Sequence, residues 1–109
     1  MEPIAVTPEP PYYAVIFSSI LKGEDRANSN TALRLDDLAT QQEGFLGVES
    51  VRDKLGVTVS YWRDLESIKA WKVNLENSAA QAQSRQRWYK DYKVRISKVE
   101  RDFSFSLNP

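Results

Sequence analysis

Two stretches, residues 61–71 (YWRDLESIKAW) and 87–92 (RWYKDY), hold the side chains with the most chemical use in this chain. All three tryptophans, with Tyr61, Tyr89 and Tyr92, fall between positions 61 and 92, while histidine and cysteine are missing altogether. The chain therefore has no imidazole base, no thiolate nucleophile and no soft metal ligand. A serine triad lacks its base. Neither a glycine-rich phosphate loop nor a carboxylate cluster at metal-ligand spacing occurs. Asp36 and Asp37 are neighbours, so on a helix they diverge and do not form an acid–base couple. No metal and no cofactor are expected. What remains is an aromatic, hydrogen-bonding pocket suited to a small, flat organic molecule.

The candidates divide by role. Trp62 ends a strand and Trp71 lies on the helix that follows, so the two rings either line one cavity between helix and sheet or fill the core. Asn74 stands three residues beyond Trp71 and presents an amide to a ligand or to solvent. Arg87 suits stabilisation of an anion, and Tyr89 or Tyr92 suits donation to a carbonyl oxygen. Trp88 and Tyr92 fit dimer-interface anchors equally well, with Arg87 then a surface charge. Asn74, Arg87 and Tyr89 are the catalytic candidates. Trp62, Trp71, Asn74, Asn77, Arg87, Trp88 and Tyr92 are the substrate-binding ones.

The elements that must position these residues follow from periodicity. Tyr12–Leu21 is β-branched and aromatic and reads as a strand. Residues 26–42 carry Ala32, Leu35, Leu38 and Ala39 on one helical stripe, with Gly44 where a C-terminal cap glycine belongs. Phe45–Arg52 and residues 57–63 read as strands joined by the short turn DKLG, an antiparallel hairpin. Asp64 stands as N-cap of a second helix whose apolar face is Leu65, Ile68, Trp71 and Leu75. Residues 76–85 prolong that helix or form a short one, and residues 88–105 make a long last strand. The order β-α-β-β-α-β predicts a ferredoxin-like split-βαβ domain, α+β, with two helices on one face of a four-stranded antiparallel sheet. It occupies residues 12–109 behind an extended, proline-rich leader at 1–11.

Alternation within the strands carries a further expectation. Tyr13, Val15 and Phe17 face one side of the sheet, and Ala14, Ile16 and Ile20 face the other. Val57, Val59 and Tyr61 oppose Trp62 in the same way. Two helices cover one face only, so the other is expected to pack on a second copy, giving a dimeric α+β barrel. In the last strand the apolar positions change from even (Tyr92, Val94, Ile96) to odd (Val99, Phe103, Phe105). That switch demands a bulge, a bend or a new packing partner. The part beyond Val99 is expected to reach the other subunit.

Length and charge bound the rest. The 109 residues make one domain with 15 basic and 15 acidic side chains. Positions 85–101 carry seven basic and two acidic residues, but without net positive charge a nucleic-acid partner is not expected. No apolar run nears the roughly 20 residues that span a bilayer, and MEPIAVTPEPP does not resemble a signal peptide. A cytoplasmic protein is expected.

Taken together, GFLGVES at 44–50, VSYW at 59–62, IKAW at 68–71, RWY at 87–89 and VER at 99–101 resemble the antibiotic biosynthesis monooxygenase family. The resemblance runs from residue 13 to residue 105. It implies a dimeric α+β barrel and, for some members, oxidation of aromatic polyketide-like compounds by dioxygen without metal or prosthetic group. The sequence departs from the family where Asn77 replaces a frequent histidine and Ser84 replaces a frequent glycine. The related haem-degrading branch holds iron through a histidine, which this chain lacks, so haem is not expected. Against the monooxygenase stand two alternatives: a dimer that binds an aromatic ligand without turnover, and a structural protein with a filled core.

Overall fold

The computed structural model describes residues 4–22, 39–76 and 89–107. Its elements run β1 (Tyr12–Leu21), β2 (Phe45–Arg52), β3 (Gly56–Trp62), α1 (Leu65–Glu76) and β4 (Tyr89–Val99). The strands form one sheet in the order β2-β3-β1-β4, and every neighbouring pair is antiparallel. That order places the first and third strands at the centre, as the split-βαβ arrangement requires. Of the helix expected over 26–42, the described part is its end: Ala39 and Thr40 are helical. Gly44 then takes φ +87°, a conformation open to glycine at little cost. Residues 77–85, expected to extend or follow α1, lie outside the described residues.

The register assigns each side chain to a face. Tyr13, Val15, Phe17 and Ser19 of β1 lie opposite Trp62, Ser60, Thr58 and Gly56 of β3, so these eight share one face. Ile68 on α1 and Ala39 are buried with Val15 and Trp62 on that face, and Tyr13, Phe45 and Trp71 complete the cluster. Trp62 is its centre, with no exposed surface, and its Nε1 donates to Ser60 Oγ at 2.9 Å. Asp64 caps α1 by accepting from the backbone N of Ser67 at 2.8 Å and from its hydroxyl at 2.7 Å. Those two bonds hold the Asp64 carboxyl below its ordinary pKa.

The last strand corrects the sequence reading. It ends at Val99, not at residue 105, and residues 100–107 carry no strand. Val99 pairs with Tyr12, the first residue of β1, so beyond it there is no central strand left to pair with. Register is unbroken from Asp91 to Val99, so the parity switch is not a bulge. Val99 simply turns to the face opposite Ile96, and the one irregularity of this pair sits at Ile20/Leu21. Past the strand, Phe103, Phe105 and Leu107 are 100%, 84% and 85% exposed.

The second face carries Tyr12, Ala14, Ile16, Ser18 and Ile20 against Tyr61, Val59 and Val57. Part of it is covered from within the chain. Ala5 N donates to Glu49 Oε2 at 2.9 Å, and a Cβ on Gly47 would come within 2.9 Å of the Ala5 methyl. The proline-rich segment is thus held on this face at the β2 edge, and Gly47 leaves the space for it.

Candidate functional site

The helix-bearing face has two unlike halves. Around Trp62 it is dry and closed, with Phe45 edge-on at 5.5 Å and Trp71 tilted at 5.1 Å between ring centroids. Toward the other end of the strands the lining becomes aromatic and polar. Phe17, Tyr89 and Tyr92 form a ring trio with centroid separations of 5.4, 5.5 and 5.8 Å. Beside them Ser19 is 1% exposed, and Arg52 Nη2 donates to its hydroxyl. Ser50 and Thr58 share a hydroxyl–hydroxyl bond at 2.9 Å across the hairpin. Edge-to-face rings with a few converging polar groups are the usual furniture of a small-molecule site.

Arg52 owes its position to Gly56, its partner across the hairpin. A Cβ at position 56 would lie 2.1 Å from Arg52 Cζ, so the guanidinium rests on bare backbone. Its Nη1 is shielded from solvent without a hydrogen-bond acceptor, as is Trp71 Nε1. An open cleft of about 300 Å³ adjoins this end of the sheet, lined by Ser19, Ile20, Leu55, Asp91, Tyr92 and Lys93 among others.

A separate polar cluster occupies the opposite face. Thr7 Oγ1 donates to Tyr12 OH at 3.0 Å, and Tyr12 OH donates to Asp102. Tyr61 OH donates to Glu49 Oε1 at 2.7 Å, and its ring meets Tyr12 edge-on at 5.9 Å. Both phenols are pushed above their ordinary pKa, Tyr12 chiefly by its bond to the Asp102 carboxylate and Tyr61 chiefly by burial. The cluster joins the leader, three strands and the tail after β4.

The sequence-derived site residues therefore fall in different places. Trp62 is enclosed in the core and Trp71 is partly buried against it. Asn74 is exposed, and its Nδ2 donates to Gln42 Oε1 at 2.8 Å. Tyr89 and Tyr92 stand in the aromatic trio at the far end of the sheet. Asn77, Arg87 and Trp88 lie outside the described residues. Sequence reasoning passed over Phe17, Ser19 and Arg52. Strand alternation already set Phe17 and Ser19 beside Val15, and hairpin register set Arg52 opposite a glycine.

Comparison with known proteins gives the architecture its class. No family model matches the chain. A point mutant of SnoaB, a cofactor-independent oxygenase from Streptomyces nogalater, superposes with a TM-score of 0.64 at 10% identity, covering 90% of this chain and 98% of that one. A Chloroflexus aurantiacus protein that carries the antibiotic biosynthesis monooxygenase name gives 0.56 at 12%, over 89% and 99%. The fold is that of the antibiotic biosynthesis monooxygenase-like domains, the ferredoxin-like unit of α+β barrels. At the level of sequence, YqjZ of Bacillus subtilis, an uncharacterised protein, is 48% identical over 110 residues, 99% of this chain and 96% of its own length. The chain belongs to the YqjZ family.

Proposed function

We propose that this protein is a homodimer that takes a small aromatic molecule and oxidises it with dioxygen, without cofactor. The observation that carries the ligand class is the Phe17–Tyr89–Tyr92 trio beside Ser19 and Arg52, on a fold shared with a cofactor-independent oxygenase. In such a reaction an anthrone-like substrate ionises, its anion passes an electron to dioxygen, and recombination gives a hydroperoxide. Loss of water then leaves the carbonyl, so R2CH2 and O2 become R2CO and H2O. The protein supplies shape, hydrogen bonds to the anion and exclusion of water, none of which needs histidine. Tyr92 and Tyr89 are assigned to ring contact. Arg87, Trp88 and Asn77 remain substrate-side candidates, as do Trp71 and Asn74 at the other end of the sheet.

The dimer rests on the second face and on the tail. Ile16, Ile20, Val51, Val57 and Val59 share that face, with Val51 69% exposed. Phe103, Phe105 and Leu107 recur with a period of two, a strand pattern that pairs with no strand among the described residues. Both are covered when a second copy packs on the sheet and receives the tail. Among the described residues no helix is long and apolar enough to cross a membrane, in keeping with a cytoplasmic site of action.

Oxygen uptake with a panel of anthrones and hydroquinones tests the catalysis, and sedimentation of the full chain against one ending at Asp102 tests the dimer. The proposal expects uptake with at least one substrate and a monomer after truncation. A second reading, binding without turnover, gains from one observation. The two phenols with displaced pKa sit on the opposite face, away from the aromatic trio. Ligand binding with no oxygen consumption across the panel selects that reading.

A further inference from the structure

We infer that the aromatic molecule this site accepts carries a carboxylate, and that Arg52, with Ser19, is the group that receives it. The inference rests on the small-aromatic reading above and narrows it. Arg52 is always charged, and its planar fork is matched to two carboxylate oxygens. Among the described residues the ion pairs belong to Arg63, which meets Glu43 and Asp64, and no carboxylate pairs with Arg52. One guanidinium nitrogen is spent on Ser19 Oγ, while Nη1 is closed off from water with nothing to donate to. A shielded cationic donor without an acceptor is costly, and that cost is recovered when an anion arrives.

Position supports the same conclusion. Ser19 is both the Arg52 partner and a wall of the cleft, so the guanidinium lies one hydrogen bond behind the cleft lining. Tyr92 pairs with Ser19 across β1 and β4, so the ring trio lies beside the Arg52–Ser19 pair on the helix-bearing face. The cleft also holds Asp91 and Lys93, a carboxylate and an ammonium on the same strand. Gly56 is the second half of the device, since any side chain there would lift the guanidinium off its seat. Trp71 Nε1 is also unpartnered but is uncharged and adjoins the dry half, so it does not select an anion.

The test compares naphthalene carboxylate with naphthol, the same ring with and without a charge at neutral pH, by isothermal titration. The full-length protein should bind the carboxylate about tenfold or more tightly, the range of one charge-assisted bond. Arg52→Gln should bring the ratio of the two affinities to within about twofold. Gly56→Ala keeps the charge but displaces it and should act in the same direction. If Arg52→Gln fails to fold, the Gly56→Ala result and the Arg52 guanidinium nitrogen shift in the wild type decide, the shift moving with the carboxylate and not with naphthol. A preference that survives both substitutions overturns the assignment. Equal binding of both probes by the wild type refutes the carboxylate inference and leaves the aromatic reading standing. Binding of neither refutes the aromatic reading itself.

Discussion

The two stacked tryptophans answer differently to the same substitution, and the difference can be worked from their indole nitrogens. Trp62→Phe removes about 40 Å² of fully buried ring, worth about 1 kcal/mol of transfer free energy. The void left in a closed core adds about 1 kcal/mol. Ser60 Oγ, itself buried, loses the donor now 2.9 Å away, which costs about 1 kcal/mol more. The sum is about 3 kcal/mol. Trp71→Phe removes the same atoms from a half-buried ring, so the transfer loss is about half as large. It also deletes a shielded N–H that has no acceptor, and removing an unsatisfied donor returns about 1 kcal/mol or more. That variant should be as stable as the wild type or slightly more so. Urea unfolding of both variants measures the gap, which should be about 3 kcal/mol at unchanged m value. Equal destabilisation by the two substitutions would refute the reasoning, because it would require Trp71 Nε1 to have an acceptor.

Three further outcomes follow from local chemistry. Asp64 has its carboxyl pKa lowered by the Ser67 bonds, so its contribution to stability is present above the ordinary carboxylate range. It is lost as pH falls through the depressed value, and acid titration of Asp64→Ala should show a shallower decline than wild type below the ordinary carboxylate pKa of about 4. Tyr61 has its phenol raised by burial and by Glu49, so native stability is full below the ordinary phenol pKa of about 10 and falls as pH climbs above it. Tyr61→Phe should flatten that alkaline decline, followed by circular dichroism. Gly44→Ala forces a Cβ to within 2.0 Å of Ser67 Oγ at positive φ. It should cost about 2 kcal/mol or more in urea unfolding, combining left-handed strain with a disturbed α1 cap.

Much of the framework was legible because its determinants are local. Period-two alternation marked β1 and β2 to the residue, and DKLG marked the hairpin. Gly44 marked a helix end, and Asp64 with a following apolar stripe marked α1. The end of β4 was not legible. Its apolar pattern continues to residue 105, but pairing stops where β1 begins, and that limit is set by residues more than eighty positions away. The leader's attachment was hidden for the same reason, since Ala5 meets Glu49 across forty-four positions. The candidate site was only half visible. Aromatic residues advertise themselves by type, which drew notice to Trp62 and Trp71, whereas Arg52 becomes informative only once Gly56 is known to lie beneath it.

The two faces of the sheet thus divide the chemistry between them. The second face spends its polar groups on one another: Glu49 serves both Ala5 and Tyr61, and Asp102 holds Tyr12. Phenols held neutral by neighbouring carboxylates are poor bases and poor anion sites, so this cluster ties the two termini to the sheet. On the helix-bearing face the dry half is closed by Trp62, and the aromatic half retains a cation with an unused donor. The proposed carboxylate seat therefore lies on the helix-bearing face, where Arg52 Nη1 is shielded without an acceptor.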